Sequence, residues 1–309
     1  MLFALPYAIP DECIVSAVPE KTCVLSPLVP GDRSTYVYGA GQEQAYYEGY
    51  RCARFALSPR KGGWDCLRHY EVLAAGCVPL MEGLEHCPSA TMVSFPKELV
   101  LEARALWPWQ DTPDAQARYD ATVRALLEHM RLHCSTSALA EMFLSYFPTL
   151  PVAPKVLMLN CDPGENYTRE LLSVALRRRL GAFFVEVPRN DVLYKGADLS
   201  KAYGYGFTYG GRLDEEPLDR THIAERLAER EWNLVIYGKT GRDDGWQGQL
   251  PNQPFLKEVM ENYSSDEIVF LFGGDGCQSF VSSPWKELYT PVLLQHLQVG
   301  HCCVRELEI

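Results

Sequence analysis

The sequence predicts an α/β fold built from parallel sheets covered by helices, arranged in two successive halves. Three observations carry this. Short runs of buried, β-branched or aromatic residues alternate with stretches of helical periodicity along most of the 309 residues. The segment Pro148-Thr-Leu-Pro-Val-Ala-Pro154 places three prolines in seven residues and interrupts the pattern, which then restarts. The chain is 47% apolar and 22% charged, a globular composition with enough length for two cores.

In the first half, Cys13–Ser16 and Cys23–Pro27 read as strands and Pro30-Gly31-Asp32 as a turn. A helix is expected over Gln42–Arg54, a buried strand over Phe55–Ser58, and a turn over Pro59–Gly63. The next helix, from Asp65 to Ala75, ends at Gly76, the residue best suited to a left-handed cap. Cys77–Met81 and Thr91–Phe95 read as further strands, and Pro96 opens a helix over Lys97–Leu106. Helical periodicity then covers 114–134 and 137–147.

In the second half, strands are expected at Lys155–Asn160, Ala182–Val187, Asn233–Tyr237 and Glu267–Phe272. Helices between them fall at Thr168–Leu180, Thr221–Glu231 and Phe255–Tyr263, with a long irregular stretch over 188–218. Both halves therefore read as Rossmann-like, over residues 1–150 and 151–309.

Charge and cysteine usage narrow the function classes. A net charge of -11, from 29 basic against 40 acidic residues, argues against nucleic acid as a partner. The 11 cysteines are scattered, without a Cys-x-x-Cys pair, and read as buried reduced thiols rather than a disulfide framework or zinc site. With no basic leader and no long apolar run, a cytoplasmic, soluble protein without a transmembrane segment is expected. Asn166-Tyr-Thr168 and Asn262-Tyr-Ser264 are read as chance glycosylation sequons. Gly204-x-Gly206-x-x-x-Gly210 does not lie between a strand and a helix, so it reads as an irregular loop at a cleft rim.

Residues 51–71 run against the acidic trend: Arg51, Arg54, Arg60, Lys61 and Arg68 surround a lone Asp65 before Glu71. The order is strand, basic glycine turn, helix. Gly62 and Gly63 let the backbone approach a ligand, and Asp65 is expected to cap the helix. A helix start flanked by Arg and Lys suits a pyrophosphate, and Glu71 on the second turn suits ribose hydroxyls. His69, beside Arg68, reads as a packed imidazole.

The block Phe55-Ala-Leu-Ser-Pro-Arg-Lys-Gly-Gly-Trp-Asp-Cys-Leu-Arg-His-Tyr-Glu-Val-Leu-Ala-Ala-Gly-Cys-Val-Pro-Leu80 resembles the signature of exostosin-type glycosyltransferases. That pattern is a strand, a glycine turn, Arg-x-x-Glu on a helix, then Gly-Cys-Val-Pro. Flanking motifs, including Pro30-Gly31-Asp32, Tyr203-Gly-x-Gly-Phe-Thr-Tyr209 and Val304-Arg305-Glu306-Leu307, are similar to predicted glycosyltransferases of algae and large viruses. The resemblance implies a GT-B-like architecture, two Rossmann-like domains facing across a cleft, here with the donor-type half first. It implies metal-independent transfer from a nucleotide-diphosphate sugar to a glycan or small-molecule acceptor, with no cofactor. Donor binding carries over to Gly62, Gly63, Arg68 and Glu71, with Arg60, Lys61 and Asp65 beside them.

Many retaining relatives place an acidic residue eight positions before the ribose-binding Glu, where this chain has Gly63, so retention through that carboxylate is unsupported, and inversion would need a general base. Loop carboxylates at strand ends supply the candidates, Asp162 (with Glu165 nearby) and Asp275. A non-catalytic sugar- or nucleotide-binding protein and a nicotinamide-dependent oxidoreductase remain as alternatives. The absence of a well-placed glycine fingerprint counts against the latter.

Overall fold

A computed structural model describes residues 1–60, 63–160, 164–240, 250–272 and 293–305. It is a mixed α/β structure with one six-stranded and one three-stranded sheet, and every strand pairing is parallel.

The smaller sheet belongs to the first half. Its strands β2 (Cys23–Leu25), β3 (Ala53–Leu57) and β4 (Val78–Leu80) lie in the order β2-β3-β4. Helix α1 (Glu43–Arg51) leads into β3, and α2 (Leu67–Ala74) connects β3 to β4. Gly76 ends the α2 turn at φ 67°, and a Cβ there would stand 2.6 Å from Pro19 Cδ, so both backbone and packing require glycine. Helices α3 (Lys97–Arg104), α4 (Pro113–His133) and α5 (Thr136–Ser145) follow. Thr112 and Ser135 cap the last two by accepting from Ala115 and Ala138 backbone N–H groups.

The larger sheet has the order β1-β9-β8-β7-β5-β6. It comprises β1 (Leu2–Ala4), β5 (Val156–Leu159), β6 (Phe184–Val187), β7 (Leu234–Thr240), β8 (Ile268–Phe272) and β9 (His301–Val304). Read from β6, the second-half strands follow the doubly wound 2-1-3-4-5 pattern, and the N-terminal β1 adds a sixth strand at the edge. Strand alternation splits the core. Val156, Met158, Leu234, Ile236, Val269 and Leu271 face one side, and Leu157, Leu159, Val235, Tyr237, Phe270 and Phe272 the other. The first side is continuous with the core of the three-stranded half, through α4, α5 and α6 (Tyr167–Leu180). The second side is covered by α7 (Ile223–Ala228) and α8 (Leu256–Asn262).

Because α6 is enclosed on nearly all faces, its charges are paired internally. Arg169 bonds Glu170 at 2.6 and 2.8 Å, and Arg177 reaches Glu186 at 2.6 Å. Arg178 and Arg179, in its last turn, hold Glu12 and Glu141. Asn166 caps α6 and is 8% exposed, which explains one sequon as a structural residue.

Two expected strands are absent. Residues 11–13 form a 3-10 turn, and Val15 N–H bonds the Ala74 carbonyl singly rather than in a ladder. At 91–95, Met92 takes φ 52° and its carbonyl accepts from Phe95 N–H, closing a turn. The expectation of buried thiols also holds only in part: Cys23, Cys52, Cys66 and Cys87 are half-buried. Among the described residues, no helix is long and apolar enough to cross a membrane.

Candidate functional site

Parallel strands deliver their C-terminal ends to one edge of a sheet, and ligands of such sheets bind there. In this chain the exits of both sheets converge on one cleft of about 760 Å³. Tyr7 follows β1, Tyr167 opens α6 just after β5, and Arg305 follows β9. From the smaller sheet, the β3–α2 connection supplies Gly63 and Asp65, and α2 supplies Arg68 and Glu71. Arg33, Tyr36 and Tyr46 close a wall, and Tyr203 and Gly204 form part of the lining, as the rim reading of that glycine loop expects. Three arginines and five tyrosines thus surround two carboxylates.

Arg68 is set in place from behind. Its Nε donates to Ser58 Oγ at 3.3 Å and its Nη2 to the Pro59 carbonyl at 2.9 Å. Ser58 Oγ also lies 2.6 Å from His69 Nδ1. One hydroxyl thus links the Arg68 guanidinium to the His69 ring. Burial, then the Arg68 charge, push the His69 imidazole down to about 3, so it is neutral at physiological pH. His69 is therefore the packed imidazole the sequence suggests, and Ser58 and His69 position the guanidinium.

Glu71 is 6% exposed, and both its oxygens are engaged. Tyr46 donates to Oε2 at 2.5 Å and Thr208 donates to Oε1 at 2.5 Å. Burial raises the carboxyl above its ordinary range, while Thr208, Tyr46 and the Arg68 charge pull it back. Thr208 Oγ1 also lies 2.9 Å from the Tyr47 hydroxyl, and its backbone N–H donates to Glu43, which Arg212 also holds. This network joins α1, α2 and the 203–212 loop across the two halves.

Asp65 does not cap α2. The N-cap is Cys66, without a side-chain cap bond, because the Asp65 carboxylate instead accepts from Tyr7 N–H at 3.3 Å. Arg305 Nη1 donates to the Asp65 carbonyl at 3.2 Å and to the Tyr7 hydroxyl at 2.5 Å, with its guanidinium 4.8 Å above the Tyr7 ring. Burial raises Asp65 to about 6, against the opposing pull of Arg305. A cleft carboxylate tuned towards neutrality has the proton affinity of a general base.

The other expected site residues are distributed differently. Arg60 lies over the Trp64 ring at 4.7 Å and lines a separate hollow of about 470 Å³ with Glu82 and His86. Lys61, Gly62, Asp162 and Asp275 lie outside the described residues. The structure adds Tyr7, Arg33, Tyr36, Tyr46, Tyr167 and Arg305, to which the sequence reading assigned no role. Tyr46-Tyr47-x-x-Tyr50 places three rings on the buried face of a helix, and Arg305 directly follows a Cys-Cys-Val run. Both are local signals of a buried element ending at a site. Among the described residues, no cluster of three or more His, Cys, Asp or Glu is arranged to hold a metal ion.

A scan against protein-family models finds no match to the chain, and a search of curated proteins finds none either.

Proposed function

We propose that the chain is a glycosyltransferase of GT-B-like, two-domain form, which binds a nucleoside-diphosphate sugar in this cleft. The observation that carries the reading is the convergence of Arg33, Arg68 and Arg305 with Asp65 and Glu71 at the C-terminal edges of two parallel sheets. Guanidinium groups match phosphate oxygens in geometry and charge, and offset the charge that develops on a leaving diphosphate. Tyr36 and Tyr46 offer ring faces for a base or sugar. Each Glu71 oxygen engaged by a protein hydroxyl keeps a second lone pair for a ribose hydroxyl.

In this reading Asp65 takes the base role that the sequence assigned to loop carboxylates. Its carboxylate accepts the proton of an acceptor hydroxyl, and the freed oxygen bonds to the anomeric carbon. The bond from that carbon to the diphosphate breaks, and the diphosphate leaves with its electron pair against the arginines. The stereochemical outcome is inversion. The nine free thiols of the described residues support a cytoplasmic setting.

One observation favours a second reading, a non-catalytic nucleotide-sugar binder: Asp65 is only 4% exposed. Release of nucleoside diphosphate from a panel of nucleotide sugars separates the two. Release by the wild type that Asp65→Asn abolishes, with binding retained, supports transfer. Binding without release in both proteins establishes the binder.

A further inference from the structure

Two cysteines that the proposed activity does not use stand side by side at the opposite end of the three-stranded sheet from the cleft. Cys23 begins β2, and Cys52 is the C-cap of α1, one residue before β3. The Cys52 carbonyl accepts from Thr22 N–H at 2.8 Å and from Cys23 N–H at 3.1 Å, so the two backbones are bound neighbours. The sulfur atoms are 3.8 Å apart, and both residues are half-buried rather than sealed in the core. A disulfide needs about 2.05 Å between sulfurs and Cα atoms about 4.4–6.8 Å apart, and neighbouring strands, about 4.8 Å apart, bring two backbones close to that range. Small side-chain rotations then suffice for the first.

Basic side chains lie near the pair. Lys21, two residues before Cys23, carries an ammonium group held by the Arg51 and Gly76 carbonyls at 2.9 and 2.6 Å. Burial lowers the Lys21 ammonium to about 8 and, with Cys23 and Glu48 beside it, raises the Cys52 thiol above its ordinary value, so exchange runs through the thiolate fraction present at mildly alkaline pH. Lys21, Arg54 and Arg124 line a surface hollow of about 710 Å³ together with Glu20 and Asp120, so basic groups outnumber acidic ones there by one.

We infer that Cys23 and Cys52 form a reversible disulfide by exchange with a small anionic disulfide of the glutathione class. One protein thiolate attacks a sulfur of the small disulfide, forming a mixed disulfide and expelling the first small thiolate. The second protein thiolate attacks the protein sulfur of that mixed disulfide and expels the other. The protein loses two protons and two electrons, and the small disulfide becomes two thiols. The bond ties the end of α1 to β2, and α1 carries the Tyr46 and Tyr47 hydroxyls that hold Glu71 and Thr208. The inference is independent of what the cleft binds.

The test uses the full-length, fully reduced protein incubated with oxidised glutathione, alkylated, digested without reduction and analysed by mass spectrometry. The expected product is a Cys23 peptide linked to a Cys52 peptide, two hydrogens lighter than the sum of its parts and cleaved by dithiothreitol. Its formation is expected to raise the melting temperature by about 5 °C for a closed loop of this length, a shift absent in Cys23→Ser. Alkylation of both thiols, separate glutathione adducts on each, or a link from either to Cys77 overturns the assignment. Because the linkage is read on the wild type, the result does not depend on the variant folding.

Discussion

Replacing Asp65 with Asn isolates the cost of holding a carboxylate charge in the cleft. Burial raises Asp65 from 3.8 to about 6 in the folded chain. A folded value above the unfolded one means that the group's contribution to stability is complete below pH 3.8 and is lost as pH rises through 6. A shift of about two units corresponds to about 3 kcal/mol. Unfolding entropy of about 2.1 cal/mol/K per residue gives about 0.65 kcal/mol/K for a chain of this length, so the loss is worth about 4–5 °C. Asn neither titrates nor carries charge, and its side-chain oxygen still accepts from Tyr7 N–H. The melting temperature of Asp65→Asn minus that of wild type is therefore expected to increase by about 4 °C between pH 4 and pH 8, most of the full effect. Circular-dichroism melts of both proteins across that range measure it. A difference that stays flat with pH would refute the claim that Asp65 is held at a raised value, and with it the argument for Asp65 as a base.

Other perturbations test the network around it. Tyr46→Phe removes the donor to Glu71 Oε2 and is expected to cost about 1.5–3 kcal/mol in urea unfolding; an unchanged midpoint would show that the bond contributes nothing. Gly238→Ala drives a Cβ into Asn160 Oδ1 and to 2.8 Å from Arg169 Cδ, with an expected loss of about 1–3 kcal/mol by the same measurement. Wild-type stability in that variant would mean that β7 does not pack so closely on β5 and α6. Ser58→Ala releases Arg68 Nε and His69 Nδ1 without touching the cleft, and is expected to weaken nucleotide binding several-fold in calorimetric titration. Equal affinity would remove Ser58 from the positioning of Arg68.

Much of the fold was legible because its signals are local. The β3–turn–α2–β4 unit announces itself through a buried run, a glycine turn, an amphipathic helix and Gly76, whose left-handed backbone the structure confirms. The caps at Thr112 and Ser135 and the strand β5 after the proline boundary are of the same kind. What stayed hidden depends on distant partners. Strands β1 and β9 pair with each other across almost the whole chain, and β9 also with β8, so no neighbouring helix or turn marks β1 in the sequence. Arg305 reaches Asp65 only through that pairing, so its role follows from topology rather than motif. Asp65 looked like a helix cap because capping is the common fate of Asp before a helix; its carboxylate turns instead to Tyr7, which no local rule anticipates.

In the proposed function the arginines of the cleft hold a diphosphate. Thermal-shift titration tests it directly, with a panel of nucleoside diphosphates, nucleotide sugars and dinucleotides against wild type, Arg68→Ala and Arg305→Lys. At about a hundred times its dissociation constant, a ligand adds about 2.7 kcal/mol. One nucleoside diphosphate or its sugar is expected to stabilise wild type by about 4 °C, and both variants are expected to lose most of that shift, each measured against its own unliganded melting temperature. If no nucleotide stabilises the protein, or if only dinucleotides do and the variants respond as wild type does, the cleft is not a diphosphate site and the glycosyltransferase reading falls with it.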